Sequence, residues 1–529
     1  MKILMAYPNL PLMMSPAISV AIFNAICKKR EVEYKVFETT EYSDEYSNRH
    51  IKLAKFGANR GNEKDERDSE YFNVKPESQI IPDFLEVVEE YQPDIIVMSM
   101  QEDVFHVAEK LLEAIEDKNI PHLIGGVFPS QAPEVVLKSK FINHIAVYEG
   151  EYTFDKMITA WQEGKPISSV DGVWWKDETG RVRRNKPNPL CNVDDIIPDF
   201  SCYEDKRWQR PMGGKHFYRA VSMETYRGCP YKCTYCNSPG TRELAKKFDL
   251  GNYMRRKDAD TIKRDLDYYI EHIGPDLIMF QDDSFLARPA KEIFEFCEMW
   301  KEYKIPFWFN TRVENCKAEY LEALKEAGVH RMTFGLESGN ADYRKKYLLR
   351  PMRDSVYEDY LHIINESNIP YSLNVLVGMP YETRDMVMDS ARMIRKARGY
   401  DGLTVSMFQP YHGTKLRDMA VEAGFMDPNL ILSGGFLDSY FLHMPKPYLQ
   451  NEEVFTLNKA FALYAYYEED MWPLIRKAET DEELFTKLMD KYKKEFYIGD
   501  YQIGGKERID HLNGCVKHDP SSTYVFEVA

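Results

Sequence analysis

The chain has 529 residues, of which 44% are hydrophobic and 29% charged, enough for about three domains with buried cores that need no disulfide support. Its formal charge of −16 argues against general nucleic-acid binding. No apolar run approaches the ~18 residues of a membrane span. Residues 1–10 lack the basic, long apolar and cleavage regions of a secretory signal, so a cytoplasmic setting with reduced thiols is expected.

In chain order, Lys2–Tyr7, Glu33–Phe37, Asp94–Ser99, His122–Ile124 and His144–Tyr148 are short apolar runs without alternation. That is the pattern of strands buried on both faces of a parallel sheet. Helical spacing at Pro16–Lys28, Val104–Glu116 and Pro133–Ser139 falls between them. Residues 1–163 therefore predict a doubly wound, Rossmann-like α/β domain with ligands at the carboxyl ends of its strands. The polar, aperiodic stretch 41–80 reads as an inserted loop. Gly172–Lys176 and Arg181–Arg184 predict a hairpin, and a proline-containing stretch to Phe200 a linker, within a connecting unit 164–210. Over 211–430, strand runs at Ala220–Glu224, Leu277–Gln281, Phe307–Thr311, Arg331–Phe334, Ser372–Val377 and Leu403–Phe408 alternate with helices. Six β/α units predict a partial, TIM-like barrel with its chemistry at the C-terminal strand ends. Residues 431–529 are helical and aromatic, with Tyr440, Tyr464, Tyr466, Tyr467 and Trp472. They either pack a helical core or cap the barrel mouth and choose the substrate.

The nine cysteines divide unevenly. Cys229, Cys233 and Cys236 fall within eight residues, directly after the first barrel strand. Three thiolates in one loop suit a soft metal centre. Structural zinc asks for a fourth ligand, and Cys191 and Cys202 upstream lack the usual paired spacing. Three cysteines with an open fourth position suit an iron–sulfur cluster instead.

The C-x3-C-x2-C spacing, with Tyr235 before the last cysteine, resembles the radical S-adenosylmethionine (SAM) superfamily. Five later segments are similar to that family's strand exits: Phe280–Phe285, Asn310–Glu314, Phe334–Gly339, Gly378–Thr383 and Pro410–Thr414, with His412 in place of the usual proline. The resemblance implies a 4Fe-4S cluster on Cys229, Cys233 and Cys236. It also implies a SAM site at Tyr235, Arg312, Gly335, Glu337, Ser338 and Gly378.

The N-terminal region resembles the cobalamin-binding domain of one radical SAM subgroup, that of the class B methyltransferases. The matching residues are Pro8, Asn9, Ser99, Gln101, Gly125, Gly126, Val127, Phe128, Glu149, Gly150 and Glu151. Phe128 and Ser130 stand where the subgroup has histidine and threonine. The D-x-H-x-x-G motif that supplies an axial histidine elsewhere is absent, as in this subgroup; Asp103-Val104-Phe105-His106 has the wrong spacing. The resemblance implies reductive cleavage of SAM to a 5′-deoxyadenosyl radical, hydrogen abstraction from a small-molecule or peptide substrate, and methyl transfer from methylcobalamin to an unactivated carbon. It also implies a reductant such as flavodoxin or ferredoxin. A cyclase or ring-rearranging activity without methyl transfer, and a non-catalytic carrier of cluster or corrinoid, are the alternatives.

Overall fold

The computed structural model describes residues 1–11, 15–44, 74–195, 197–212, 216–434, 439–496 and 504–515. Most of the insertion expected at 41–80 lies outside the described residues, but its ends meet: Tyr42 bridges Lys75, and Ser43 N donates to Lys75 O at 2.8 Å.

The early apolar runs build one seven-stranded sheet from β1 (Lys2–Tyr7), β2 (Glu33–Glu38), β3 (Ile95–Ser99), β4 (His122–Gly125), β5 (His144–Ala146), β6 (Val173–Lys176) and β7 (Val182–Arg184). The spatial order is β2-β1-β3-β4-β5-β6-β7, parallel through β5 and antiparallel beyond it. Alternate residues of β1 face opposite layers. Ile3 and Met5 pack with the Ile18–Lys29 and Glu151–Gln162 helices, while Leu4 and Ala6 pack with Ile80–Tyr91 and Phe105–Glu113. Burial on both faces is why these strands read as unbroken apolar runs. The predicted hairpin, β6–β7, does not stand apart as a connector; it pairs with β5 and extends this sheet. The direction of winding reverses between β1 and β3, where a crevice opens at the strand carboxyl ends.

The second sheet starts with the antiparallel pair β8 (Gln209–Met212) and β9 (His216–Met223). A short ladder of β10 (Tyr226–Arg227) and β11 (Arg255–Arg256) follows. Then come β12 (Leu277–Phe280), β13 (Phe307–Thr311), β14 (Val329–Glu337), β15 (Tyr371–Val377) and β16 (Gly402–Met407), parallel to β9 and in sequence order. All six predicted barrel strands are present. Among the described strands β16 pairs only with β15, so the barrel stays open. Its core interlocks aromatic rings, with Phe285 stacked on Phe309 at 4.5 Å and Phe296 on Trp300 at 5.1 Å.

The open edge is covered by the Asn451–Tyr466 helix, whose Asn458 Nδ2 donates to Val405 O of β16 at 3.1 Å. Covering an edge strand in this way removes a template for intermolecular pairing. The C-terminal aromatic residues pack a helical core, one of the two arrangements open from sequence. Tyr464 is buried and donates to Glu479 Oε1 at 2.5 Å, and Trp472 Nε1 donates to Tyr464 O at 3.2 Å. Among the described residues, no helix is long and apolar enough to cross a membrane.

Candidate active site between two sheets

β9 delivers the cysteine loop. At its exit Thr225 N and Oγ1 donate to Asp282 at 2.7 and 2.5 Å, and Arg288 donates to the same carboxylate at 2.6 Å. Asp282 therefore ties the β9 exit to the β12 exit, whereas its neighbour Asp283 lines a cavity and receives Ser238 Oγ at 3.3 Å. The loop ends as a helix cap, Cys236 Sγ accepting from Ser238 N at 3.4 Å at the start of Asn237–Lys247. Burial pushes the Cys229 thiol up to about 11 and Cys236 to about 12, and the neighbouring Cys233 thiol adds to each rise. Gathering thiols in this way is costly without a positive centre to bind, so the donor set fits a cluster.

Arg312, at the exit of β13, places one guanidinium nitrogen 3.8 Å from Cys233 Sγ and its carbon 3.9 Å from the Tyr231 ring centroid. It also pairs with Glu314. The β14–β15 register shifts between Gly335 and Glu337, and Glu337 has φ +64°. The bulge aims the Glu337 carboxyl back over Gly335, where any Cβ would collide with it. Tyr235 OH donates to Glu337 Oε1 at 3.1 Å, and buried Arg350 donates to Tyr235 OH at 2.9 Å and Gly335 O at 2.7 Å. Burial raises the Glu337 carboxyl, partly offset by Arg350. Tyr235, Gly335 and Glu337 thus converge, with Arg312 alongside Cys233. Ser338 and Gly378 do not join them. Ser338 is buried in the turn held by Arg344, and Gly378 lies under Tyr440, whose OH donates to Gly378 O at 2.9 Å.

Glu382 closes the turn after β15, its Oε2 accepting Gly378 N and Met379 N at 2.7 and 3.1 Å, while its Oε1 is buried without a partner. Burial lifts this carboxyl to about 8. A folded value above the unfolded one means that the native state holds the extra proton, so stability present at low pH is lost as pH rises through about 8. The melting temperature is expected to fall between about pH 5 and pH 8.5, and Glu382→Gln to flatten that slope. Parallel melting curves for the two proteins across this range would rule the account out.

Two cavities lie at the carboxyl ends of the sheets. One, about 360 Å³, is lined by Ser99, Gly125, Gly126, Val127, Glu149, Gly150 and Glu151, with apolar Phe23, Val97 and Leu123. The other, about 600 Å³, is lined by Gln101, Val127, Phe128 and Glu149 from the first sheet and by Tyr235, Cys236, Asp283 and His412 from the second. Val127, Glu149, Glu224, Arg227 and Thr241 border both. Val127 is 49% exposed there, an apolar side chain left open beside two glycines, as a flat apolar ligand requires. Pro8 and Asn9 line neither cavity. Asn9 N and Nδ2 instead tie the end of β1 to Thr39 and Thr40 at 2.8 and 2.9 Å. His106 sits half-exposed on a helix beside Glu109.

Sequence reasoning missed the groups that join the two sheets. Arg227, two residues before Cys229, pairs with Glu151 at 2.7 Å and Glu224 at 2.9 Å, and donates to Cys191 Sγ at 3.1 Å. Arg255 pairs with Glu149. Glu102, buried after β3, accepts His412 Nδ1 at 2.8 Å, His412 N at 2.9 Å and Leu432 N at 3.0 Å. Tyr411 donates to Asp103 at 2.8 Å, and burial pushes that carboxyl up to about 6. The only hint in the sequence was the histidine at 412 where the resemblance expects proline.

A loop of three cysteines on a parallel half-barrel, facing a doubly wound domain across a common cavity, defines the class. Residues 223–394 match the model of the Radical SAM superfamily, and residues 63–158 match that of the B12 binding domain. The chain is a radical SAM enzyme that carries a B12-binding domain. It is 25% identical over 369 residues to an uncharacterized methyltransferase of Pyrococcus horikoshii, a match spanning 68% of this chain and 76% of that one. Its fold is similar to that of TsrM, a radical SAM methyltransferase from Kitasatospora setae solved with cobalamin and a [4Fe-4S] cluster. The TM-score is 0.60 at 13% identity, over 93% of this chain and 100% of TsrM. It is also similar to OxsB, a cobalamin-dependent SAM radical enzyme, with a TM-score of 0.61 at 16% identity over 94% of this chain and 72% of OxsB.

Proposed function

We propose that this chain is a cobalamin-dependent radical SAM methyltransferase acting on an unactivated carbon of a small molecule or peptide. The observation that carries the reading is the shared 600 Å³ cavity, where Cys236 and Tyr235 of the barrel face Gln101, Val127 and Phe128 of the other domain. A substrate held there meets both halves of the chemistry at once. Cys229, Cys233 and Cys236 would hold the cluster through their three thiolates. Tyr235, Arg312, Gly335 and Glu337 form the SAM side, with Ser338 and Gly378 shaping the turns behind it. Ser99, Gln101, Gly125, Gly126, Val127, Phe128, Glu149, Gly150 and Glu151 form the cobalamin side. When bound, the cluster with SAM supplies a carbon-centred radical and cobalamin supplies the methyl group. The protein's part is orientation and exclusion of water: Arg350 fixes Tyr235 and Glu337, and Arg227 and Glu102 hold the two walls together.

The test is anaerobic reconstitution with iron, sulfide and hydroxocobalamin, followed by addition of SAM and a low-potential reductant. Bound corrinoid and both 5′-deoxyadenosine and S-adenosylhomocysteine are the expected products. 5′-Deoxyadenosine alone assigns a cyclase or ring rearrangement, and bound cofactors without SAM cleavage assign a carrier. Failure to bind any corrinoid removes the methyl-transfer reading.

A further inference from the structure

The outer face of the cysteine loop gathers exposed lysines on a chain that is acidic overall. Acidic side chains outnumber basic ones by 85 to 69. Yet four exposed lysines, Lys232, Lys345, Lys346 and Lys415, surround this loop. Backbone contacts bring them together. Thr234 N donates to Leu348 O at 3.4 Å, Thr234 Oγ1 to Tyr347 O at 2.6 Å, and Leu416 N to Thr234 O at 2.9 Å. Lys232 lies in the loop itself, Lys345 and Lys346 end the Ala341–Lys346 helix, and Lys415 opens the Lys415–Glu422 helix. Among the described residues, no carboxylate lies within 4.0 Å of any of these four ammonium groups. Asp342, Asp418 and Glu422 are exposed on the same two helices and form no ion pair with the four lysines. Leu349, three residues beyond Lys346, is 39% exposed. A large apolar side chain inside a rim of like charge has the composition of a contact surface.

The position matters as much as the charge. Cys229 is partly exposed and Pro230 and Lys232 are exposed, so the loop that carries the thiols lies at the surface on that side. The inner side of the same loop, at Tyr235 and Cys236, faces the reaction cavity. A carrier bound on the outer face would leave the cavity side free for substrate. We infer that this lysine-rimmed face docks an acidic one-electron carrier protein, which reduces the centre held by Cys229, Cys233 and Cys236. The inference rests on the functional reading above, since it presupposes a cluster on those thiols. One electron leaves the carrier and enters the oxidised cluster; no bond breaks and no proton is required.

The cluster-loaded enzyme is mixed with a flavodoxin in its hydroquinone form, and the loss of cluster absorbance is followed by stopped flow. Charge complementarity of this kind acts mainly on the association rate. With Lys232, Lys345, Lys346 and Lys415 all changed to glutamate, the second-order rate constant is expected to fall ~30-fold or more. The native rate should itself fall steeply between ~20 and ~300 mM salt. The dissociation constant of oxidised flavodoxin should rise in parallel. The four Lys→Gln changes, which remove charge without reversing it, should give an intermediate loss and guard against misfolding. Reduced methyl viologen, a small cation, should reduce the native and reversed proteins alike or the reversed one faster. Reversing Lys29 and Lys110 on the other domain should change nothing. Equal flavodoxin rates and affinities for native and reversed proteins, both reducible by viologen, overturn the docking surface and leave the enzyme assignment standing. A native protein that assembles no reducible cluster overturns both.

Discussion

Changing Cys233 to alanine is expected to abolish the iron–sulfur absorbance and to lower 5′-deoxyadenosine formation by at least ~10³-fold, because the three thiolates act as one unit. The folded structure should survive. The loop around Cys233 is clamped by backbone contacts of Thr234 to Leu348 and Leu416, and Arg242 holds Cys229 O and Tyr231 O at 3.0 and 3.2 Å. None of these needs the Cys233 sulfur. Cys229→Ala and Cys236→Ala should give the same result. Cys297→Ala provides the contrast: that thiol is fully buried in the aromatic core, so its loss should lower thermal stability and leave the iron content unchanged. Circular dichroism, iron and sulfide analysis, and nucleoside quantification separate the two outcomes. SAM cleavage surviving in Cys233→Ala would overturn the radical assignment.

The second large effect is expected at Gly126. Its φ is +109°, and a Cβ there would sit 2.6 Å from Met100 N, closer than real side chains come to backbone. The adjoining Met100 N–Gly125 O hydrogen bond of 3.0 Å locks β3 to β4 at this level, so the neighbouring strand cannot retreat. Gly126→Val should therefore cost about 3 kcal/mol or more. For a domain of this size that lowers the melting temperature by ~6–12 °C. Gly126 also lines the 360 Å³ cavity, so the backbone shift that the valine forces should weaken hydroxocobalamin binding. Gly180→Ala, in an open hairpin turn with no atom within 4 Å of its Cβ position, serves as the control for backbone strain without crowding. An unchanged melting curve and unchanged corrinoid binding in Gly126→Val would show that the crevice is not built as described.

The strands were legible because they are buried on both faces. IIVMS in β3 and LIMF in β12 carry their signal in consecutive residues, with no need of a partner. The cysteine loop was legible for the same reason, its cysteines being four and three positions apart. What escaped was non-local. His412 and Glu102 are 310 residues apart in the chain, and nothing near either position marks the other. Glu149 and Glu151 line the cavity as the resemblance implies, but no local pattern marks that their carboxylates also engage Arg255 and Arg227 across the interface. Asp282 and Asp283 are the same residue type side by side, yet one carboxylate is locked into the scaffold and the other borders the cavity. Adjacent strand-end residues point to opposite sides, and only the register decides which is which. The hairpin strands lie where the sequence puts them, but their antiparallel pairing with β5 is a long-range contact that no local pattern marks.

The charges that cross between the sheets bear on how such a protein could be recombined. A chimera cut near residue 210, where chain composition suggests a seam, would part Glu149 and Glu151 from Arg255 and Arg227, and Glu102 from His412. Each half would then expose ions that had been neutralised inside the molecule. The transplantable module is accordingly defined by its counter-ions: a grafted N-terminal domain would have to bring acidic side chains at 102, 149 and 151, or the recipient would have to surrender its arginines and histidine.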